Sequence, residues 1–188
     1  MDLPWGSEPS ITFVTNVGLI TSDGPMGPDI MACEWTHHIS YKPGLIAISI
    51  HDTDTTYANI AETKEFGVSL AATDQNVLSS IAGGSHGKDV DKMKVLAELG
   101  FKFYQAKTIR PVMVEGAALN IECKVIKIET HGDHVMVVGE VQDVQVHPGK
   151  QPIMYHQRKY WKLGEQIMKP GQEELDRIKM IVEKYRKQ

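Results

Sequence analysis

The stretch LNIECKVIKIETHGDHVMVVGEVQDVQV, residues 119–146, decides the fold class of this chain. Residues 119–128 alternate apolar and polar side chains, which is typical of a strand with one buried face. His131-Gly132-Asp133 is a turn signal, and residues 134–146 behind it have the composition of a partner strand. The stretch therefore predicts a β-hairpin.

Shorter apolar and β-branched runs predict further strands at residues 11–20, 45–50 and 66–71, and residues 31–35 form a short, mostly apolar segment. Helices are predicted at 57–63 behind an N-cap at Thr56, at 76–82, and over 88–99. After Pro170-Gly171, residues 172–187 have apolar side chains at helical spacing, acids in the first turn and bases in the last. A single β-rich domain spanning residues 1–188, a barrel with a C-terminal amphipathic helix at 170–188, accounts for this pattern.

Bulk properties exclude several classes of protein. The formal net charge of −4 argues against nucleic-acid binding, which concentrates excess Lys and Arg. No apolar run is long enough for a membrane helix, and the first residues do not have the composition of a secretory signal. Cys33 and Cys123 do not make a disulfide framework, so a reducing cytoplasm is the expected location.

Two segments are candidate anion sites. GGSHGK at 83–88 is not a P-loop, because the glycine spacing is one residue short and Asp89 stands where a magnesium-binding hydroxyl is needed. Its backbone and Lys88 could hold an anion, or it is an exposed turn whose lysines pair with nearby acids. HDTDTT at 51–56 places hydroxyls at a helix start, which suits either a phosphate or plain N-capping.

Other chemistry has weaker support. The eight histidines do not have the spacing of a metal site, so no metal is expected. Cys33 beside Ala32 is more typical of a buried inert thiol than of a nucleophile. A Gly-x-Ser-x-Gly elbow is missing from the sequence. The terminal helix is expected to pack on the barrel or on a partner subunit, because its charges are mixed rather than basic.

Six motifs follow one another in the order of a known family. They are DIMACEW (29–35), KPGLIAISI (42–50), TYANI (56–60) with Thr63 and EF (65–66), GKDVDKM (87–93), GDH (132–134) with GEV (139–141), and PIMYH (152–156) with YW (160–161) and Gly164. Together they resemble the flavin reductase-like FMN-binding split-barrel family, which includes flavoredoxins and archaeal ferric reductases. The resemblance covers residues 11–164, the expected core barrel.

The resemblance implies a mainly β fold: a six-stranded antiparallel Greek-key split barrel with peripheral helices. It also implies a homodimer that holds FMN at its interface. Expected FMN contacts on the isoalloxazine side are Asp29, Ile30, Met31, Ala32, Cys33, Glu34 and Trp35. Expected contacts on the phosphate and ribityl side are Ser49, Thr53, Thr55, Thr56, Ser85, His86, Lys88 and Lys92. His134, Tyr155 and His156 are the candidates for the substrate side.

The resemblance further implies an oxidoreductase in which NADH or NADPH reduces the flavin, and flavin, ferric complexes or another small molecule accepts the electrons. The alternatives are an electron carrier that serves a protein partner without NAD(P)H turnover, or a barrel that has lost its cofactor. Three residues depart from the family pattern. Asp29 and Ser69 stand where Asn is frequent, and Asp54 stands where many members place Arg near the phosphate.

Overall fold

The hairpin predicted at residues 119–146 lies at the centre of the main sheet. In a computed structural model that describes residues 2–187, strands Leu119–His131 and His134–Val146 pair antiparallel around a tight turn. Gly132 in that turn has φ 64°, a left-handed conformation that glycine adopts at little cost. Both the hairpin and its turn are confirmed.

The described residues form the following elements, labelled in chain order: α1 Glu8–Ile11, β1 Thr15–Asn16, β2 Gly18–Ser22, β3 Asp29–Cys33, β4 Thr36–Tyr41, β5 Gly44–Ile50, α2 Thr55–Thr63, β6 Glu65–Leu70, α3 Asn76–Gly84, α4 Lys92–Glu98, β7 Phe103–Gln105, β8 Val112–Val114, β9 Leu119–His131, β10 His134–Val146, β11 Met154–His156, β12 Lys159–Trp161 and α5 Gln172–Lys184. No helix among residues 2–187 is long and apolar enough to cross a membrane.

The main sheet is antiparallel throughout, in the order β3-β2-β6-β9-β10-β5-β4. It has seven strands, so the expected number of six is wrong. Strand β4 was not predicted, because its mostly exposed side chains show no apolar alternation; it is an edge strand of this sheet and pairs with β5. The mainly β class is confirmed, and the Greek-key description stays a prediction.

The two edge strands of this sheet are consecutive in the chain. Only Glu34 and Trp35 separate β3 from β4. The Ser49 backbone N–H donates to the Trp35 carbonyl over 3.1 Å, and the Cys33 thiol donates to the Ser49 carbonyl over 3.4 Å. These contacts bring β3 against β5, so the sheet curves back on itself and its opposite edges meet.

Two apolar clusters lie on opposite sides of the curved sheet. One includes Ile48, Phe66 and Val137 from three of its strands. The other joins Ile30 of β3 to Leu78 of α3, with further residues of α4 and β8. Burial of these side chains supplies the main driving force for packing α3 and α4 on β3, next to the cavity described below.

Helix boundaries correct three expectations. α2 begins at Thr55 with Asp54 as its N-cap, two positions earlier than predicted, and the Thr56 hydroxyl donates to Asp29 Oδ2 instead of capping the helix. α4 begins at Lys92 because the Asp91 carboxylate accepts a hydrogen bond from the Lys94 N–H over 3.0 Å and caps the helix there. α5 forms as predicted, but no residue of it is buried, so the expected packing on the barrel is not seen in this single chain.

Candidate functional site

A cavity of about 830 Å³ opens beside β3, a size typical of small-molecule sites. Four parts of the chain enclose it. They are β3 with Glu34, the start of α2, the end of α3 with the loop that follows it, and the β11–β12 hairpin. Both candidate anion segments therefore reach one cavity.

Most of the predicted site residues line this cavity. They are Asp29, Met31, Ala32, Cys33, Glu34, Thr55, Thr56, Ser85, His86, Lys88, Lys92 and Tyr155. Ile30, Trp35, Ser49, Thr53, His134 and His156 do not line it.

Three of the six other residues belong to the scaffold near the cavity. Ile30 is fully buried in the core that joins β3 to α3. Ser49 contributes backbone hydrogen bonds to the closure of the sheet. Thr53 lies exposed in the turn before α2.

The remaining three are aromatic residues near the rim. Trp35 and His134 have ring centroids 4.5 Å apart, and the His51 ring lies 3.9 Å from that of His134. The Asp133 carboxylate lies 2.8 Å from the His134 Nδ1 atom, and this hydrogen bond lowers the pKa of the acid. His156 lies beside Trp161, whose indole N–H donates to the His156 carbonyl over 2.9 Å.

A buried ion pair forms part of the cavity wall. The Lys92 ammonium lies 3.1 Å from Asp29 Oδ1, and the two side chains are 3% and 5% exposed. The Thr56 hydroxyl donates to Asp29 Oδ2 over 2.8 Å. Both carboxylate oxygens of Asp29 are therefore engaged, and β3, α2 and α4 are held together at this point.

Thr55 offers an unused hydrogen-bonding group at the start of α2. Its Oγ1 atom is buried, and within residues 2–187 it has no hydrogen-bond partner. The backbone of Gly87 lies close to it: a Cβ placed there would stand 2.9 Å from Thr55 Oγ1 and 2.8 Å from Asp29 Oδ1. A buried hydroxyl, a helix N-terminus and a close glycine loop together fit a phosphate group.

Thr55, Gly87, Lys88 and Asp29 also line a second cavity of about 520 Å³ behind the first. These four residues therefore lie between two neighbouring cavities.

Asp54 lines the cavity, but its carboxylate turns back into the preceding turn. Asp54 Oδ2 accepts a hydrogen bond from the His51 N–H over 3.0 Å. The Asp54 side chain therefore stabilises the turn before α2, which explains why an acidic residue is compatible with this position.

Arg158 and Trp5 are cavity residues that the sequence did not single out. The Arg158 guanidinium lies 4.5 Å from the Trp5 ring centroid, a cation–π contact at the mouth of the cavity. Arg158 follows Gln157 in the β11–β12 turn, and both have positive φ, 61° and 50°. This turn lacks the Asn or Gly that signals such a conformation, so only the motifs on either side of it, at 152–156 and 160–161, pointed to the region.

Three ionisable cavity groups have shifted pKa values. Burial raises the pKa of the Cys33 thiol, which supports the inert reading of this residue. Burial likewise raises the pKa of the half-buried Glu34 carboxyl and of the Tyr155 hydroxyl.

The fold and the site together agree with the comparison to known families. Residues 11–164 match the model of the flavin reductase like domain, and this span is most of the chain. The chain belongs to the flavin reductase-like family, as the six motifs predicted.

Individual relatives are more distant. An NADH-dependent flavin reductase from Rhodococcus sp. is 26% identical over 146 residues, which is 77% of this chain and 74% of that protein. An uncharacterized protein from Archaeoglobus fulgidus is 28% identical over 119 residues; this match spans 62% of the chain and 64% of the relative, less than two thirds of its length.

Solved structures share the fold. Flavoredoxin of Desulfovibrio vulgaris (Miyazaki F) superposes with a TM-score of 0.74 at 24% identity, covering 90% of this chain and 97% of that one. The flavin reductase PheA2 gives a TM-score of 0.72 at 25% identity, covering 88% and 100%.

Proposed function

We propose that this protein binds FMN in the 830 Å³ cavity and works as an oxidoreductase, reducing flavin, ferric complexes or another small acceptor with electrons from NADH or NADPH. The observation that carries the proposal is that both anion segments and the β3 segment line one cavity.

The phosphate would lie at the start of α2. The unpartnered Thr55 hydroxyl donates to a phosphate oxygen there, and free N–H groups of the first helical turn add to the field. Lys88 supplies a positive charge from the glycine loop, since within residues 2–187 it forms no ion pair. Hydrogen bonds of this kind to a charged group each contribute about 1.5–3 kcal/mol.

The isoalloxazine ring would lie along Met31, Ala32, Cys33 and Glu34. The small Ala32 side chain would allow the ring to approach the β3 backbone closely. On the other side of Ala32 there is little free space, because a Cβ built at Gly83 would lie only 3.2 Å from the Ala32 Cβ. When bound, the flavin would supply the hydride and electron chemistry, and the protein would supply orientation and the electrostatic environment of the ring.

A homodimer that shares the cavity is part of the proposal. Trp35, Ile39 and Tyr41, on and beside edge strand β4, are 50%, 52% and 90% exposed, which is an unusual amount of apolar and aromatic surface for one strand. A second copy that packs on this edge would bury these three side chains. Light scattering at two protein concentrations, with Tyr41→Asp as the variant, tests this: the wild type should be a dimer and the variant mainly a monomer.

The reaction is tested by mixing FMN-loaded protein with NADH or NADPH without oxygen. Loss of the flavin absorbance at about 450 nm within seconds is the expected result for a reductase. Free FMN with the same nicotinamide is the control.

Flavin that stays oxidised with both nicotinamides, but bleaches with a chemical reductant, would show an electron carrier instead. A protein that fails to take up FMN at all would refute both functions.

A further inference from the structure

The buried Asp29–Lys92 pair limits the positive charge that the cavity offers to a ligand. Lys92 lies at the first position of α4 and reaches the cavity wall, yet its ammonium is 3.1 Å from a carboxylate oxygen. We propose that Asp29 is an internal counter-anion that occupies Lys92 and weakens phosphate binding, so that the cavity holds an exchangeable flavin rather than a permanent one. This inference rests on the proposed function.

The geometry leaves Asp29 little freedom to move aside. Lys92 holds its Oδ1 atom, Thr56 holds its Oδ2 atom at 2.8 Å, and the side chain is 5% exposed. The backbone of Gly87 closes over Oδ1 as well. A phosphate that approaches Lys92 would therefore meet the Asp29 carboxylate in place.

The formal charges of the acidic and basic side chains that line the cavity cancel. Three acids and three bases line it: Asp29, Glu34 and Asp54, and Lys88, Lys92 and Arg158. A phosphate dianion gains from Lys88 but is repelled by Asp29 across a few ångströms of protein, where charges interact far more strongly than in water. Neutralising Asp29 would free Lys92 to act on the phosphate.

The uncharged part of the ligand offers an internal control. Riboflavin has the same ring and ribityl chain as FMN but lacks the phosphate. A change at Asp29 that acts through charge should alter FMN binding and leave riboflavin binding nearly unchanged, whereas a general distortion of the cavity should alter both.

The experiment measures the dissociation constants of FMN and riboflavin for the wild type and for Asp29→Asn. Asn keeps the size of the side chain and an oxygen that accepts the Thr56 hydrogen bond. We expect FMN to bind more tightly by on the order of tenfold, with riboflavin changed by less than about twofold. Equal changes for both ligands, or weaker FMN binding, would overturn the proposal.

A second variant guards against loss of folding, because Asp29→Asn leaves the buried Lys92 without a counter-charge. Asp29→Asn/Lys92→Met removes both charges. In the absence of ligand, the double variant should be more stable than Asp29→Asn. The ratio of its dissociation constants for riboflavin and FMN should fall back to the wild-type value or below. A double variant that still shows the full gain would contradict a role for Lys92.

Thermal stabilisation by inorganic phosphate provides a measurement without flavin. Phosphate should raise the melting temperature of Asp29→Asn more than that of the wild type, and the opposite order would refute the inference. If no variant binds riboflavin or FMN while phosphate behaves as expected, the proposed function fails and the charge relation stands.

Discussion

Gly139→Ala should destabilise the protein, because Gly139 lies where two buried side chains leave no room for a methyl group. A Cβ built there would lie 2.6 Å from Cε1 and Cζ of Phe66 and 2.8 Å from Cβ of Cys123. Phe66 and Cys123 are fully buried, and the register of β10 against β9 already shifts between Val138 and Gly139. The neighbours therefore cannot swing into solvent to relieve the clash.

The size of the effect follows from the overlap. Carbon atoms at rest lie about 3.5–4.0 Å apart, so the ring or the strand must move by about 1 Å. Overpacking of this kind costs about 1–3 kcal/mol. Replacing Gly by Ala also lowers the conformational entropy of the unfolded chain, which stabilises the folded state by about 0.4–1 kcal/mol. We expect a net loss of about 1–2 kcal/mol, which for a chain of this size lowers the melting temperature by about 2–8 °C.

The matched control is Gly44→Ala in the adjacent strand β5. A Cβ there would lie 3.6 Å from Val141, an ordinary contact, so this variant should be as stable as the wild type or slightly more stable. Urea unfolding followed by circular dichroism measures both variants. Shortening the opposing ring with Phe66→Leu should make Gly139→Ala less costly in the double variant than in the single one. The reasoning is refuted if Gly139→Ala loses no more stability than Gly44→Ala.

Three further outcomes test the site. Thr55→Val should weaken FMN binding by about 1.5–3 kcal/mol and leave riboflavin binding and ligand-free stability nearly unchanged, because the hydroxyl has no partner within the described chain; equal loss for both flavins in titrations would place the phosphate elsewhere. Glu34→Gln should raise the free energy of unfolding at pH 7 and lose this advantage at low pH. Burial raises the pKa of the Glu34 carboxyl above its value in the unfolded chain. The free energy of unfolding of the wild type is therefore unaffected below the unfolded-state pKa and falls as pH rises through the folded-state pKa, and Glu34→Gln removes this fall. A stability gain that is equal at pH 7 and at low pH in urea titrations would contradict this. Burial raises the pKa of Cys123 from 9.0 to about 12, so unfolding free energy should fall as pH rises between these values, and Cys123→Ala should show a smaller fall when both are titrated with urea; parallel curves would count against it.

Local sequence patterns predicted the elements that carry a periodic apolar face. The β9–β10 hairpin alternates apolar and polar residues around a glycine turn, and α5 has an apolar stripe with complementary charges, so both follow from the order of residues. β4 did not, because its sequence THHISY carries no periodic apolar face and its strand geometry comes from pairing with β5. Such a strand is specified by its neighbour rather than by its own residues.

The residues of the site also fall into two groups, those that local sequence patterns predicted and those that they did not. The anion segments were visible because hydroxyls and glycines near a helix start have a local meaning. The Asp29–Lys92 pair was not visible, since an ion pair between distant segments leaves no periodic trace in either one. Arg158 was missed for a similar reason: it reaches the cavity through the geometry of a two-residue turn whose sequence gives no turn signal.

The departures from the family pattern at Asp29 and Asp54 gain a physical explanation from this arrangement. Asp54 closes the turn before α2 through the His51 N–H, and Asp29 takes up the charge of Lys92. Each acid has a local partner, and because Asp29 occupies Lys92, Lys88 and Arg158 are the cavity cations that form no ion pair within residues 2–187. Lys88 comes from the loop after α3 and Arg158 from the β11–β12 hairpin. The proposed phosphate site at α2 would therefore depend on one free lysine, one hydroxyl and the helix N-terminus.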